Sequence, residues 1–233
     1  MSRKTKIQAE ARKVEAIRKK KRNRIIASAV AAAVLGGIGF AYSSIVGTVP
    51  TAIRAATWDT KAVAQTDIAM GDPKAPARIT EYGSLTCVHC ADFHERAFAD
   101  FKKDYIDTGK VYFVYSHFPY DAPSLQAASA VACLPKEKQP GALVTLYESQ
   151  KSWVLENDVT GAVLTKLGMG AGNSSEVLKC VTDGSKREQV TKTAYEAGSH
   201  GIASTPTFVV NGGVYEGFMS ADVLGKIALG PKN

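Results

Sequence analysis

The 233-residue chain has only four cysteines, and only two of them, Cys87 and Cys90, lie close together in sequence. It has no second Cys-x-x-Cys pair, because the other two cysteines are single and far apart. A structural zinc site would need four ligands. His89 and His94 are near the pair, but neighbouring positions on one predicted helical turn cannot all point at one tetrahedral centre. The shortage of cysteines therefore argues against a metal site.

The body of the chain lacks a surplus of basic residues. The formal charge is +7, but eleven of the 29 Lys and Arg residues lie in residues 1–24, which hold only two acidic residues. The remainder has 18 basic against 20 acidic residues, a net charge of −2. A basic surface is the usual electrostatic sign of nucleic-acid binding. We therefore expect no nucleic-acid partner.

No charged residue occurs between Arg24 and Arg54, and this absence indicates a membrane or export segment. Residues 25–49 are predicted to be a transmembrane anchor or the apolar region of a cleaved signal. The long basic segment before them favours the anchor, whereas their alanine and glycine content makes them only weakly hydrophobic and keeps cleavage open. In both cases, the preceding basic residues predict a cytoplasmic segment 1–24 and an exported body. Disulfides persist in an exported protein.

The chain also lacks internal repeats, and residues 50–66 show no period, so we interpret them as a linker. An extended run then covers residues 78–82. Apolar residues at three- and four-residue steps predict a helix over 87–105, with the cysteines in its first turn. Residues 110–118 are rich in Val, Tyr and Phe and are typical of a buried strand. The order strand, helix, strand predicts a parallel crossover.

Residues 122–200 differ from what precedes them, since they are rich in Ala, Leu, Lys and Glu with breaks at Pro and Gly. We expect four or five helices there. Strand composition returns after residue 201, and Asn211-Gly212 between two apolar runs predicts a hairpin. Residues 221–229 are predicted to be a last helix. The predicted class is α/β, with an all-helical insert in a β/α frame.

The Cys-x-x-Cys pair on a first helical turn favours redox chemistry. Unpaired backbone N–H groups and the helix dipole stabilise a thiolate at Cys87. His89 can add a positive charge or an N–H donor to the same thiolate. Cys90 can then attack and resolve a mixed disulfide. An inert structural disulfide is the alternative.

Three distant features support the redox interpretation. Pro206 follows Thr205 just before a strand, where a cis bond is expected and an ordinary trans proline is the alternative. Glu81 lies in an apolar strand, so its carboxylate is expected to be buried and able to pass a proton, unless the strand is an exposed edge. Cys133 and Cys180 both lie in the insert and can form a structural disulfide, or they can be two buried free thiols.

The stretch GDPKAPARITEYGSLTCVHCADFH, together with the Thr-Pro and the helical insert, resembles the DsbA-like thiol:disulfide oxidoreductases of the thioredoxin superfamily. The resemblance covers residues 67–233. It implies a thioredoxin fold with an inserted helical subdomain, preceded by the transmembrane or signal segment. It also implies disulfide exchange without a cofactor.

The resemblance assigns a role to each site residue. Cys87 exchanges with the substrate thiol and Cys90 is buried. Pro206 is the cis-proline, and Thr205 offers its backbone to the substrate chain. Glu81 assists proton movement.

The resemblance further implies partners and a location. The substrates are unfolded exported proteins with free thiols, a DsbB-type membrane protein reoxidises the pair, and a monomer is expected on the periplasmic side of a bacterial inner membrane. One departure concerns the redox potential: Val88 stands where the family usually has proline.

Alternatives on the same fold are an isomerase, a reductase and a non-catalytic binding module. The chain shows no dimerisation domain of the isomerase kind between the apolar segment and Asp67. Membrane-tethered reductases usually have Trp before the first cysteine and Pro before the second, whereas this chain has Thr86 and His89. The sequence therefore favours a disulfide donor.

Overall fold

A six-stranded sheet forms the frame of the computed structural model, which describes residues 49–169 and 175–230. β3 pairs in parallel with β4 and antiparallel with β5, so it is an interior strand. The predicted parallel crossover is therefore confirmed. The order across the sheet is β1-β6-β5-β3-β4-β2. The strands are Arg54–Ala55 (β1), Ile68–Met70 (β2), Ala77–Gly83 (β3), Val111–His117 (β4), Thr207–Val210 (β5) and Gly213–Glu216 (β6).

The predicted basic and apolar segments, residues 1–24 and 25–49, lie outside the described residues apart from Val49. Within the described ranges, no helix is both long enough and apolar enough to cross a membrane. The anchor or signal therefore stays a prediction.

The predicted linker, residues 50–66, is different in the structure, because it is docked on the body. Arg54 and Ala55 form β1 and pair antiparallel with β6. Trp58 stacks on His200 with ring centroids 4.9 Å apart and planes 6° from parallel. The Arg54 guanidinium donates to the carbonyl of Gly201 at 2.8 Å. A two-residue strand and one aromatic contact leave no period in the sequence, which is why this segment was interpreted as a linker.

The helix predicted over residues 87–105 is bent rather than continuous. It comprises Val88–Arg96 (α1), Phe98–Phe101 (α2) and a π-helical turn, Lys102–Ile106. At the bend, Ala97 leaves helical geometry with φ −126° and ψ −31°. Buried aromatic rings lie on both sides of it: Phe93 contacts Phe208 of β5 at 5.0 Å, and Phe98 contacts Phe113 of β4 at 5.4 Å. The bend thus allows both segments to pack on the sheet.

Five α-helices lie between residues 122 and 199 in the described part of the insert, within the predicted number. Asp121 caps the first of them by accepting a hydrogen bond from the Ser124 backbone N–H at 2.7 Å. A disulfide joins Cys133, at the end of that helix, to Cys180. The helices are Ala122–Ala132 (α3), Gln139–Glu148 (α4), Val159–Lys166 (α5), Ser175–Asp183 (α6) and Ser185–Ser199 (α7).

The predicted hairpin and last helix are also present. Asn211 and Gly212 connect β5 to β6 with φ of 48° and 89°, the left-handed pair that a two-residue type I′ turn requires. The last helix, Ala221–Leu229 (α8), begins where the Ser220 hydroxyl accepts from the Val223 N–H at 3.3 Å.

Removing the insert disulfide should lower stability without changing the site. Replacing both Cys133 and Cys180 by serine opens a loop with a sequence separation of 47. We expect the free energy of unfolding to fall by about 2 to 4 kcal/mol, because the unfolded chain gains conformational entropy. Urea unfolding followed by the fluorescence of Trp153, which is buried in the insert, measures this loss. An unchanged unfolding midpoint in the double variant would contradict the prediction.

Candidate active site

Cys87 caps the amino end of α1, directly after the loop that follows β3. Its backbone is extended, with φ −75° and ψ 121°, and the helix begins at Val88. Both cysteines of the pair are free thiols in the structure. Cys87 is 6% exposed and Cys90 is fully buried, so Cys87 is the sulfur that a second molecule can reach.

The surroundings of Cys87 stabilise its thiolate and lower its pKa to about 5. The largest contribution is a hydrogen bond from the Cys90 thiol. It outweighs the cost of burial, which raises the pKa, and the Thr205 side chain and the backbone N–H groups of Cys90 and His89 add to it. The amino end of α1 therefore supplies the donors that the sequence predicted for this sulfur.

The pKa of Cys90 is shifted in the opposite direction. Burial raises the pKa of its thiol well above the ordinary value, and the bond that it donates to Cys87 and the negative charge of Glu81 raise it further. Cys87 is consequently ready to react as a thiolate, whereas Cys90 holds its proton.

Thr205 and Pro206 lie beside Cys87 although they are more than a hundred residues away in sequence. The peptide bond between them is cis. In its protonated form, the Cys87 thiol donates to the carbonyl oxygen of Thr205, with Sγ and O 3.3 Å apart. The segment before β5 therefore places a backbone carbonyl at the reactive sulfur.

Glu81 lies in the middle of β3 and is fully buried, so the edge-strand alternative is wrong. Its Oε2 atom is 2.9 Å from Nε2 of His94, which lies on α1. His94, which the sequence suggests only as a candidate zinc ligand, is thus the partner of Glu81. The available signal was its spacing: His94 is four residues after Cys90 and therefore on the same face of the helix.

Two buried tyrosines pack around the Glu81–His94 pair. The His94 ring stacks on Tyr147 of α4 with centroids 4.3 Å apart and planes 13° from parallel, and Tyr115 of β4 meets it edge-on at 5.9 Å. The two tyrosine hydroxyls are 2.8 Å apart. The Tyr147 hydroxyl also donates to the carbonyl of Ser84 at 3.1 Å. Neither tyrosine carried a recognisable signal in the sequence.

Side chains near the insert hold the loop between β3 and α1. The Gln150 amide donates to the carbonyls of Leu85 at 2.9 Å and Cys87 at 3.2 Å. The Thr86 hydroxyl donates to the Asp121 carboxylate at 2.7 Å. Because Asp121 also caps α3, the start of the insert and the loop before Cys87 are tied together.

His89 is placed differently from the sequence expectation. Its side chain is 68% exposed, and Nδ1 is 4.0 Å from the Asp92 carboxylate. The backbone N–H of His89, rather than its ring, is the group that lowers the pKa of Cys87. His89 thus acts on Cys87 through its main chain in this structure.

Exposed apolar side chains lie near the Cys87–Cys90 pair. Val88 is 63% exposed, Tyr120 is 59% exposed and Phe218, just after β6, is 43% exposed. A groove of about 540 Å³ runs past Tyr120 towards Leu125 and Tyr195 of the insert. Among residues 49–169 and 175–230, no three His, Cys, Asp or Glu side chains are grouped so that they could hold a metal ion.

These features define a thioredoxin-fold protein: the sheet is mixed parallel and antiparallel, and a Cys-x-x-Cys at the start of a helix faces a cis-proline loop. The family model described as Thioredoxin matches residues 63–228. The chain therefore belongs to the thioredoxin family, and its large helical insert makes it DsbA-like.

Individual relatives agree with this assignment. A Rickettsia conorii protein with "protein-disulfide oxidoreductase" in its name is 30% identical over 164 residues, which are 68% of this chain and 57% of that protein. The chain spans between 53% and 58% of the length of five such Rickettsia relatives.

Solved structures give the same fold. The crystal structure of Wolbachia pipientis alpha-DsbA1 is 26% identical with a TM-score of 0.62, and the match covers 70% of this chain and 88% of that one. Oxidised BdbD from Bacillus subtilis has a TM-score of 0.62, with coverage of 76% and 96%; at 21% identity it shows the fold alone.

The Cys87 thiol should have a pKa far below that of an ordinary cysteine. Alkylation of the reduced protein by iodoacetamide should have a midpoint near pH 5, against about 8.5 for a free thiol. Because the folded pKa is depressed, the stability that the thiolate adds is complete above the unfolded pKa and is lost as the pH falls through about 5. A midpoint above pH 8 would contradict the prediction.

Two threonine variants, one beside Cys87 and one far from it, test the cause of this low pKa. Thr205→Val should raise the midpoint, since it removes one of the groups that favour the thiolate. The Cys90 thiol and the two backbone N–H groups should still keep it below the free value. Thr165→Val, exposed on α5 with its hydroxyl bonded to Gly161, should leave the midpoint unchanged.

Proposed function

We propose that the protein is a thiol:disulfide oxidoreductase that donates the Cys87–Cys90 disulfide to folding proteins. The observation that carries this proposal is the asymmetry of the pair: Cys87 can be reached and has a pKa of about 5, whereas Cys90 is buried and has a raised pKa. A structural disulfide would gain nothing from a stabilised thiolate, while an exchange centre depends on one.

The exchange proceeds in two displacements. A substrate thiolate attacks Cys87 Sγ, the Cys87–Cys90 bond breaks, and its electron pair leaves on Cys90. A second substrate thiolate then attacks the substrate sulfur of the mixed disulfide and releases Cys87 as a thiolate. The substrate loses two electrons and gains a disulfide, and the enzyme pair is reduced to a thiolate at Cys87 and, after uptake of one proton, a thiol at Cys90.

The direction of net transfer follows from which form is stabilised. Donors around Cys87 stabilise the reduced, ionised form, and this makes the disulfide a better oxidant. We therefore favour a donor over an isomerase or a reductase. Val88 is at the first position of α1 and is solvent-exposed, so it can tune the potential without taking part in the bonds around the sulfurs.

The same proposal includes the substrates and the reoxidant. Exposed Val88, Tyr120 and Phe218 offer apolar surface to an unfolded chain, and the Thr205 segment offers backbone hydrogen bonds close to the reactive sulfur. An exported, periplasmic location, a monomeric state and a DsbB-type membrane partner that reoxidises the pair complete the proposal. The uncharged segment before Arg54 supports export.

Equilibration with glutathione tests the direction. The reduction potential of the Cys87–Cys90 pair should lie above that of thioredoxin, about −270 mV, because the reduced form is stabilised. A potential below that value would falsify the oxidase assignment while leaving disulfide exchange intact. Val88→Pro tests the tuning position, since proline is well accepted at the first residue of a helix.

A trapping experiment tests exchange itself. Cys90→Ser mixed with ribonuclease that carries scrambled disulfides should accumulate a mixed disulfide, because Cys87 attacks and no second thiol releases it. The matched variant Cys87→Ser should form none, since its remaining thiol is buried. Equal, negligible trapping by both variants would favour a binding module without turnover.

A further inference from the structure

The loop between α7 and β5 carries the backbone that faces the reactive sulfur, and main-chain hydrogen bonds hold it only near its two ends. The Ile202 N–H donates to a carbonyl of α7 at 3.1 Å, and the Pro206 carbonyl accepts from the Gly217 N–H at 2.8 Å. Among the described residues, the N–H groups at positions 203–205 donate to no backbone carbonyl. The position of Thr205 at the site therefore also depends on contacts from outside the loop.

We infer that Arg54 and Trp58 are positioning residues for disulfide exchange, which hold this loop so that its backbone stays beside Cys87. This inference rests on the function proposed above. Both residues belong to an extended strap, residues 52–60. The family model matches residues 63–228, so the strap lies outside the matched region.

The strap is an extended segment with one face on the body. Partly buried and exposed residues alternate along it, and a period of two is the sign of an extended chain with one covered face. The N–H groups of Ile53 and Ala56 donate to the carbonyls of Val214 and Gly212 at 2.9 and 2.7 Å. This pairing sets the register that brings the same set of side chains onto the body. The partly buried residues are Ala52, Arg54, Ala56, Trp58 and Thr60.

Two side chains of the strap contact the first residues of the loop. The Arg54 guanidinium donates to the Gly201 carbonyl at 2.8 Å. Gly201 has a left-handed φ of 80°, and a Cβ atom there would lie 3.2 Å from a guanidinium nitrogen. Trp58 stacks on the His200 ring, and the guanidinium lies over the same indole, 5.4 Å from its centroid. Arg54 and Trp58 therefore hold the start of the loop as one unit.

The next residue of the loop is buried beneath the strap. Ile202 is 2% exposed and belongs to a small apolar cluster with Val209 of β5. Ala56 and Trp58 pack against this cluster. Close-packed side chains transmit displacement. Because Ile202 is only three residues before Thr205, a shift of the strap moves the backbone at the reactive sulfur.

The contacts with the loop are separate from those that pair the strap with the sheet. β1 pairs with β6 through backbone atoms, which a side-chain substitution retains. The loop is held through the Arg54 guanidinium and the Trp58 indole. Substitution of Arg54 can therefore release the loop while the strand pairing remains.

Two dithiol substrates separate positioning from a general loss of stability. An extended peptide with two cysteines can bond to the loop backbone, whereas dithiothreitol reaches only the Cys87 sulfur. Arg54→Met keeps an apolar stem over Trp58 and removes the donor to Gly201. In the oxidised full chain it should slow peptide oxidation about tenfold, the effect of misplacing one hydrogen-bonding group, and should change the rate with dithiothreitol by less than about twofold. Acid quenching followed by mass spectrometry measures both rates.

Two further variants control for the charge and for the contact itself. Arg54→Lys keeps a donor for the Gly201 carbonyl and should restore the peptide rate to within about twofold of wild type. Arg78→Met is the matched control. Arg78 also donates to a carbonyl near the strap, that of Ala62 at 3.2 Å, and lies over the Tyr112 ring at 5.1 Å, but it is at the end of β3 farther from Cys87. This variant should change neither rate.

The outcomes are distinct. A wild-type protein that does not oxidise the peptide would overturn the proposed function. With an active wild-type protein, the inference alone is overturned by an unchanged peptide rate in Arg54→Met, by an equal loss with both dithiols, or by an equal loss in Arg78→Met. His200→Leu makes the same test from the loop side, since it removes the exposed ring on which Trp58 stacks. It decides by the same criteria if Arg54→Met does not fold.

Discussion

A carboxylate buried in the middle of a sheet has to be compensated, and this requirement organises the protein around Glu81. An isolated buried charge is unstable by several kcal/mol. His94 meets this requirement from α1, and the aromatic rings of β4, α2 and α4 exclude water around the two groups. Because α4 belongs to the insert, one of these rings, Tyr147, comes from outside the central β/α frame.

The insert also contributes to the site by donating hydrogen bonds to main-chain carbonyls of the loop before Cys87. A loop between a strand and a helix has carbonyl groups that neither element satisfies. In this protein, the carbonyls of Ser84, Leu85 and Cys87 accept from Tyr147 and Gln150. The loop before the Cys87 sulfur is consequently fixed on its buried side, and these contacts do not cover the side with Thr205. The helical insert therefore makes the site rigid as well as enlarging the domain.

The frame and the positions of the cysteine pair and of the Thr-Pro could be predicted because they follow from local chemistry. A Cys-x-x-Cys at a helix start, a Thr-Pro before a strand and an Asn-Gly hairpin each have a short-range physical cause. Tyr147 and Gln150 could not be predicted in the same way, since their roles depend on which side chains α4 and the following turn bring against the loop. For His94, the only signal was its spacing of four residues from Cys90. The role of His89 was assigned to its ring, because sequence shows side chains and hides the direction of a backbone N–H. The bend at Ala97 was missed because apolar spacing continues across it.

The docked segment at the start of the described chain reduces the free edge of the sheet. Both outermost strands are very short: β1 has two residues and β2 has three. A long, bare outer strand would pair with any extended polypeptide through main-chain hydrogen bonds and would grow into an aggregate. β1 covers part of β6, and Trp58 and Arg54 secure it against the end of α7. The described chain is thereby left with little free sheet edge on which an extended polypeptide could add a strand.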